Sequence, residues 1–477
     1  MSETAPGLFD RALRRLASVW RDVGAAAGGE GESVAALMRD CLQARGGEIS
    51  ARARAARLAE AYLGLDAVGR LDFLRVLAGF DCDAEAVAAA YGAVLEAPDA
   101  AAGSRARAAL RRSLEPPRLR LLGQFTTIPD GMKFLVDLRA TLLDAGAGDP
   151  LLDALEADLK GLLRSWFDVG MLELVRIDWT SSAALLERLV AYEAVHSIRS
   201  WSDLKNRLDS DRRCYALFHP RMPGEPLIFV EVALTQGLAA SVQRLLDKRA
   251  PLLDPRLADT AIFYSISNCQ RGLAGISFGN FLIKRVVDLL AREFALRQFA
   301  TLSPVPGFRR WLDAQLASDE GGLLSDEESA ALRTAAPADA PASETGAQAL
   351  AAILGRRGWH RDPAMLRAAE PPLLRLCARY LLAASVGGQG GAQSGERVSD
   401  RGRALDPVAH FHLSNGARVE KLHMLGDTSE KGARESATIM VNYLYDPAQI
   451  EDCHEAYAGE GKRAASTAVR RLARGWS

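Results

Sequence analysis

The chain has 477 residues, more than a single hydrophobic core usually supports, so we expect two domains. Its 59 Lys and Arg residues balance 60 Asp and Glu residues, which excludes a general positive field for nucleic acid or an anionic membrane. We therefore expect neither nucleic acid nor membrane as a partner, and an anionic ligand must be bound by a local site.

The six cysteines are scattered and include no CxxC pair, which indicates reduced thiols and not a disulfide framework. No apolar run reaches the roughly 18 to 20 residues that span a bilayer. The first residues lack the apolar core of a signal peptide, and the last residues carry no peroxisomal address. These features predict a cytoplasmic location.

Residues 1–167 are predicted to form an all-α helical bundle. In the segment "LLDALEADLKGLLRSWF" the apolar residues recur at steps of three and four: Leu152, Leu155, Leu159, Leu162, Leu163 and Trp166. The stretches "LDFLRVLAGF" and "GMKFLVDLRATLLDAG" have the same pattern. Helices that are apolar on one side only must pack against each other, which favours a bundle.

The hydrophobic pattern changes near residue 168, and we place a domain boundary there. Apolar and charged residues alternate over 175–179, which is the period of a strand. The segments 226–234 and 261–267 are short and rich in β-branched and aromatic residues. Residues 168–477 are therefore predicted to form an α/β domain with a mixed central sheet, so that the whole chain is α+β.

Two stretches of this second domain are predicted to be flexible insertions. Residues 317–348 are rich in Ala, Ser, Asp and Pro, which is typical of a mobile surface excursion. Residues 386–402 have low complexity and many glycines.

A β–loop–α–β crossover is predicted around the loop "NCQRGLAGISFG", between the strand 261–267 and the strand "FATLS". Gly272, Gly275 and Gly279 open the helix, where uncovered backbone N–H groups and the helix dipole favour an anion such as a phosphate. Arg271 adds charge at the mouth of this loop. The glycine spacing matches neither the dinucleotide pattern nor the P-loop, so a phosphate site and tight helix–sheet packing both remain open.

The segment "FATLSPVPGFRRW" ends a strand on Ser303 and then restricts the next turn with two prolines. Ligands of open α/β sheets bind at the carboxyl ends of strands, beside a phosphate-binding helix N-terminus. Ser303 is therefore a candidate to face the reactive end of a ligand whose phosphates lie on residues 274–280. The alternative is a serine that starts a turn before a proline.

The segment "DPVAHFHLSNGARVEKLHM" contains three of the seven histidines and is predicted to begin with a strand. In a strand His410 and His412 share one face, from which they can chelate a metal with His423 as a third ligand. No obvious carboxylate or cysteine completes such a site. We therefore favour one histidine of this pair as a titratable acid or base.

Several of these segments resemble the malonyl-CoA decarboxylase family over roughly residues 118–450. The matching motifs are "AIFYSISNCQRGLAGISFGNFLIKRVV", "LSPVPGFRRWL", "FHLSNGA", "RRCYALFHPRMPGEPLIFVEVALT", "YEAVHSIRSW" and "GMKFLVDLRATLL". The resemblance implies a helical N-terminal domain used in oligomerisation, as a homodimer or homotetramer. It also implies a catalytic domain of the acetyltransferase-like (GNAT) fold.

The resemblance also implies site residues. The family's catalytic serine and histidine match Ser303 and His412. Its CoA-binding stretch matches Ala274, Gly275, Ile276, Ser277, Phe278, Gly279 and Asn280. Tyr445 matches a family tyrosine, for which pocket support and core packing are both open. Some relatives have a glutamate where this chain has Ser277, so any role of that carboxylate is absent or moved here.

By this resemblance the chain converts malonyl-CoA to acetyl-CoA and CO2 through a thioester enolate, which a protonated His412 protonates at the α-carbon. The thioester is the electron sink, so no metal or organic cofactor is expected. Two other functions stay open, a GNAT-type acyl-CoA acyltransferase and a non-catalytic CoA-binding regulatory protein. A metallohydrolase built on the histidines ranks last.

Overall fold

The structure is a computed structural model that describes residues 33–43, 47–146, 148–276, 278–318, 322–337, 344–386 and 402–474. These residues divide into two compact units. The first contains residues 33–173, 218–227 and 268–276, and the second contains residues 174–217, 228–267 and 278–474. The division is therefore not a single cut along the sequence, and the domain boundary near residue 168 stays a prediction.

The first unit contains a helical bundle. Its helices are α1 (Val34–Leu42), α2 (Glu48–Gly64), α3 (Ala67–Ala78), α4 (Ala84–Leu95), α5 (Ala100–Ser113), α6 (Pro117–Phe125), α7 (Gly131–Ala145) and α8 (Pro150–Trp166). Four residues of the predicted apolar stripe of α8 are buried, namely Leu152, Leu155, Leu159 and Leu163, whereas Leu162 and Trp166 are half-buried. In the core, the ring of Tyr62 lies edge-on to Phe73 and Phe134, with centroids 4.9 and 5.5 Å away.

A mixed sheet of eight strands is the second architectural feature. Its strands are β1 (Glu173–Ile177), β2 (Arg212–Phe218), β3 (Pro226–Thr235), β4 (Thr260–Asn268), β5 (Gln298–Thr301), β6 (Ser303–Pro304), β7 (Arg418–His423) and β8 (Met440–Tyr445). Their order is β1-β2-β3-β4-β5-β8-β6, and β7 also pairs with β8. Every residue of β2 and of β8 is buried, which is typical of strands covered on both faces.

Twelve helices of the described chain belong to the second unit. They are α9 (Ala183–Tyr192), α10 (Trp201–Arg207), α11 (Val242–Leu245), α12 (Gly279–Glu293), α13 (Phe308–Ser318), α14 (Asp326–Ala335), α15 (Gly346–Gly355), α16 (Pro363–Ala383), α17 (Pro407–Ser414), α18 (Glu430–Ser436), α19 (Ile450–Glu460) and α20 (Thr467–Arg474). Helices together with a mixed sheet confirm the predicted α+β class.

The predicted crossover is confirmed, because β4 and β5 pair in parallel on either side of α12. Their pairing ends where Phe263 lies opposite Thr301. Beyond this point β4 continues to its last residues, whereas the chain after β5 enters β6 and pairs Ser303 with Val441 of β8. The two parallel strands therefore separate, and Ser303 lies where they do so.

The prediction of a strand at His410 and His412 is wrong, because these residues lie in the helix α17. Asp406 caps this helix by accepting from the backbone N–H groups of Val408 and Ala409 at 3.0 Å each, and a proline occupies the first turn. An aspartate followed by proline is a common start of a helix. The alternation of His and Phe that follows it concealed this signal.

The prediction of a mobile excursion over residues 317–348 is wrong for its central part. Residues 326–335 form α14, which begins with a capping box between Ser325 and Glu328. Glu328 also pairs with the buried Arg375 of α16 at 2.6 Å, so this helix is folded onto its neighbours. The second predicted insertion falls on residues 387–401, which lie outside the described residues.

All six cysteines lie in the described part of the chain, and none of them forms a disulfide bond. Within the described ranges, no helix has the length and apolar character needed to cross a membrane.

Candidate active site

Ser303 lies at the start of β6, and its residue surface is 7% exposed. Its Oγ lies 3.0 Å from Nε2 of His412. The same hydroxyl donates to Oγ1 of Thr301 at 2.9 Å, and Thr301 accepts in addition from the backbone N–H of Tyr443 at 3.1 Å. The structure thus brings the two predicted catalytic residues together, although they are 109 positions apart in the sequence.

The turn after Ser303 is fixed by two side chains from other elements. The backbone N–H of Val305 donates to Oγ of Ser436 at 3.1 Å. The backbone N–H of Gly307 donates to Oδ2 of Asp406 at 3.1 Å, and a Cβ at Gly307 would overlap the hydroxyl of Tyr380. Asp406 therefore holds this turn and caps α17 at the same time.

His412 is bound at both ring nitrogens. Nε2 faces Ser303, and Nδ1 lies 2.8 Å from the hydroxyl of Tyr445 in β8. If Nδ1 carried the proton, the Tyr445 hydroxyl would accept it and would have no acceptor for its own proton among the described side chains, which is costly in a buried place. The hydrogen-bond network therefore assigns the proton of the neutral ring to Nε2, facing Ser303.

Burial sets the charge of this site. His412 is only 3% exposed, and its removal from water lowers its pKa to about 3. Burial also raises the pKa of Tyr445 well above its ordinary value. At neutral pH the unliganded site therefore holds a neutral imidazole and a protonated phenol.

Two aromatic rings enclose the imidazole, and the sequence reasoning did not single them out. The ring of Tyr443 stacks on His412 with centroids 4.5 Å apart, and the ring of Phe411 lies edge-on at 5.1 Å. Tyr443 and Tyr445 are two residues apart in a strand and so share one face. Family resemblance named Tyr445, and the "YLY" pattern of β8 is the signal that could have added Tyr443.

The predicted CoA loop is distributed over the two units. Arg271, Ala274, Gly275 and Ile276 belong to the first unit, Phe278, Gly279 and Asn280 belong to the second, and Ser277 lies outside the described residues. Within the second unit, Gly279 begins α12 directly against α17, where a Cβ would overlap the ring of Phe411. The end of the loop therefore lies against Phe411, which is the neighbour of His412 in the sequence.

The sequence predicts that Arg271 adds charge at the mouth of the loop. Its guanidinium pairs with the carboxylate of Asp144 at the end of α7, which neutralises much of that charge. The partner comes from 127 positions away, so no local pattern predicts it.

The metal alternative finds no support in the arrangement of the histidines. Two residues apart on a helix, His410 and His412 point in different directions. Nδ1 of His410 bonds to the hydroxyl of Tyr457 at 2.8 Å, and Nε2 of His423 bonds to Oδ1 of Asn442 at 2.5 Å. No group of three or more His, Cys, Asp or Glu side chains suited to a metal ion occurs in the described part of the chain.

Two family models match this chain in succession. Residues 80–167 match the malonyl-CoA decarboxylase N-terminal domain, and residues 170–476 match the malonyl-CoA decarboxylase C-terminal domain. The chain belongs to the malonyl-CoA decarboxylase family. This membership confirms the resemblance that the sequence motifs indicate.

Curated relatives agree with this membership. A malonyl-CoA decarboxylase, mitochondrial, from Anser anser anser is 36% identical over 425 residues, which are 86% of this chain and 81% of the relative. The protein of the same name from Mus musculus is 37% identical over 407 residues, which are 81% of this chain and 77% of the relative.

Solved structures of malonyl-CoA decarboxylases share the fold. The Rhodopseudomonas palustris structure is 41% identical with a TM-score of 0.79, and the match covers 92% of this chain and 98% of that one. The Agrobacterium vitis structure is 39% identical with a TM-score of 0.80, and the match covers 92% and 99%. This malonyl-CoA decarboxylase family member is therefore a carboxy-lyase by sequence and by fold.

Proposed function

We propose that the chain converts malonyl-CoA to acetyl-CoA and CO2 with Ser303 and His412 as its catalytic residues. One observation supports this most directly: Oγ of Ser303 lies 3.0 Å from Nε2 of His412, in a buried site where β4 and β5 separate. The decarboxylation is inferred from the family to which the chain belongs. The pair of side chains places a proton donor and a hydroxyl next to each other in the buried site.

The reaction breaks one C–C bond and forms one C–H bond. The electron pair of the bond to the carboxylate moves into the thioester carbonyl, CO2 leaves, and an enolate remains. A proton then adds to the α-carbon and gives acetyl-CoA, so each turnover consumes one proton. General acid catalysis of such a step contributes about 10²- to 10⁴-fold.

His412 delivers this proton from Nε2. The ring is neutral before substrate binds, which differs from the protonated ring that the sequence predicts. A bound malonyl carboxylate brings a negative charge to the ring, and an opposite charge raises the pKa of an imidazole. The substrate itself thus favours the protonated, donating form.

Ser303 hydrogen-bonds the malonyl group and orients it for loss of the carboxylate. Donors aimed at a developing oxyanion are typically worth about 3 to 4 kcal/mol in other enzymes. Tyr445 supports the pocket by holding Nδ1 of His412. Residues 274–280 bind the CoA part of the substrate, and the N-terminus of α12 favours its phosphates. Arg271 precedes these residues with its guanidinium paired to Asp144.

We propose that the reaction uses neither a metal nor an organic cofactor. The thioester carbonyl takes up the electron pair that decarboxylation leaves behind, and no further electron sink is needed. An assay in the presence of a chelator, after dialysis against it, tests this proposal.

The decisive experiment incubates the purified full chain with malonyl-CoA and follows acetyl-CoA and CO2. Ser303→Ala and His412→Asn should each lower kcat by at least about 10²-fold while the Kd for CoA stays within threefold. A His412→Asn variant that keeps most of its rate contradicts the assignment of the proton donor.

Two outcomes favour the other functions. CoA binding with transfer of an acyl group to an amine, and without CO2, indicates a GNAT-type acyltransferase. CoA binding without any turnover indicates a regulatory protein.

We also propose that the chain forms a homo-oligomer through its helical unit. Helices α4 and α5 pack on each other, yet α4 has no buried residue and α5 buries only Gly103. Tyr91 and Leu95 of α4 are 54% and 68% exposed, and a helix hairpin of such apolar character is expected to be covered by a second copy. Light scattering of Tyr91→Glu with Leu95→Glu should show dissociation.

A cytoplasmic location is proposed because none of the six cysteines, all of them described, forms a disulfide bond. The relatives from goose and mouse are named mitochondrial, so a mitochondrial location is the alternative. Fractionation of the source cells, with detection of the chain by an antibody, decides between them.

A further inference from the structure

The start of the CoA loop rests on the helices α7 and α8. Nη1 of Arg139 donates to the carbonyl oxygen of Gly272 at 2.6 Å, and a Cβ at Gly272 would overlap the carbonyl oxygen of Val136. Arg139 is 1% exposed and is held by Oε1 of Glu156, which accepts from Nε at 3.0 Å and from Nη2 at 2.6 Å. The helical unit therefore fixes the position of the loop backbone.

Lys160 of α8 lies beside this loop. Gly275 has a φ of +75°, and a Cβ built on it would lie 3.2 Å from Nζ and 3.4 Å from Cε of Lys160. The ammonium group thus lies close to the position that a side chain of residue 275 would occupy. Because residue 275 is a glycine, that position is empty of side-chain atoms.

The charge of Lys160 has no carboxylate partner in the described part of the chain. Its natural partner on the helix is Glu156, one turn earlier, but that carboxylate is bound to Arg139. Arg271, the other cation of the loop, is paired with Asp144. Lys160 is therefore a cation beside the loop whose charge no carboxylate of the described residues neutralises, so it can bind an anionic ligand.

We propose that Lys160 binds a phosphate group of CoA, and this inference rests on the proposed CoA function of residues 274–280. A lysine ammonium is a compact point charge that suits a phosphate oxygen. The diphosphate and the 3′-phosphate of CoA share this chemistry. Lys160 and Gly275 belong to the same compact unit, so this phosphate site lies within the first unit.

The test compares two substrates in the full-length chain. Lys160→Gln should raise the KM for malonyl-CoA about tenfold and leave kcat within twofold, because a charge-assisted hydrogen bond to phosphate is lost. The same variant should leave kcat/KM unchanged for malonyl-pantetheine, which has no phosphate. Lys160→Arg should keep most of the affinity.

A matched control removes one positive charge elsewhere in the same unit. Arg120 is exposed on α6, outside the proposed self-association hairpin, and Arg120→Gln should leave the KM for malonyl-CoA unchanged. Malonyl-dephospho-CoA distinguishes the two phosphates: a tenfold effect that persists assigns Lys160 to the diphosphate, and one that vanishes assigns it to the 3′-phosphate.

An unchanged KM in Lys160→Gln, or an equal loss with malonyl-pantetheine, overturns the proposal while the decarboxylase function stands. If the wild-type chain releases no CO2, the proposed function fails instead. The Kd for CoA itself, measured by calorimetry on wild type and Lys160→Gln, then decides the role of Lys160: a tenfold difference supports it, and equal values or no binding overturn it.

Discussion

The hydroxyl of Tyr445 lies 2.8 Å from Nδ1 of His412, on the opposite side of the ring from Ser303. Because burial keeps this phenol protonated, it donates to Nδ1 and leaves the ring proton on Nε2. We therefore propose Tyr445 as a positioning residue, because its hydroxyl contacts the imidazole of the proposed catalytic histidine.

Tyr445→Phe removes the donor that selects the tautomer of His412. We expect kcat to fall by roughly 10²-fold, while the KM for malonyl-CoA changes less than threefold, because the residue holds the acid and not the substrate. Steady-state kinetics at several pH values measures both.

The matched control is Tyr443→Phe. Its hydroxyl is buried and has no hydrogen-bond partner among the described residues, whereas its ring stacks on His412. This variant should keep kcat within twofold. Equal losses in Tyr443→Phe and Tyr445→Phe would show that packing, and not the tautomer, explains the effect.

The buried His412 should make the protein less stable in acid. Its pKa is about 3 in the folded protein and about 6.5 in an unfolded chain, so the unfolded state gains the proton first as the pH falls. The stability from the neutral ring is complete above about pH 6.5 and is lost toward pH 3, with a loss of about 2 kcal/mol by pH 5.

Urea unfolding of wild type and His412→Gln at pH 8 and pH 5 measures this difference. Other buried histidines such as His196, whose pKa burial lowers to about 4, have the same sign but are present in both proteins and cancel. The variant should lose about 2 kcal/mol less than wild type between the two pH values. Parallel pH dependence would mean that His412 is charged in the folded protein.

Gly279→Ala should damage the contact between the end of the proposed CoA loop and α17, the helix of His412. A Cβ at Gly279 overlaps the ring of Phe411, which lies next to His412, so the ring or α17 must move. We expect a loss of about 1 to 3 kcal/mol in the free energy of unfolding, with a lower kcat/KM.

Gly123→Ala in α6 is the control for this substitution. A Cβ there has no heavy atom within 4 Å, so the variant should gain about 0.5 to 1 kcal/mol in stability and keep full activity. A Gly279→Ala protein as stable and active as wild type would show that the site tolerates the displaced ring.

Periodicity and residue composition predicted those helices and strands whose formation depends on residues close together in the sequence. The stripe of α8 follows from periodicity, and the strands β3 and β4 follow from their β-branched and aromatic residues. The crossover from β4 to β5 follows from the order strand, helix, strand. Ser303 was found by its place at the end of a strand, and His412 by family resemblance.

Long-range contacts explain what the sequence did not reveal. The pairing of Arg271 with Asp144 joins residues 127 positions apart, and no window of sequence contains both. At α17 two local signals conflict, since the alternation of residues favours a strand and the start at Asp406 favours a helix. The helix forms because the Asp406 side chain accepts from two backbone N–H groups at its start. In a strand, those groups would need acceptors from a neighbouring strand.

Asp406 is predicted to couple the two proposed catalytic residues, Ser303 and His412. Its Oδ1 caps the helix of His412, and its Oδ2 accepts from Gly307 in the turn that follows Ser303. Asp406→Ala loses the cap and leaves a buried N–H without an acceptor, so we expect a loss of about 2 to 4 kcal/mol in stability. Kinetics of the folded fraction should show a fall in kcat larger than any rise in KM.

Asp83→Ala provides the comparison for this last prediction. Asp83 caps α4 by accepting from Glu85 and Ala86 at 2.9 and 3.2 Å, but it lies on an exposed hairpin. Its loss should cost about 1 kcal/mol without a change in kcat. If Asp406→Ala behaves in the same way, the carboxylate is only a cap, and the turn after Ser303 keeps its geometry without it.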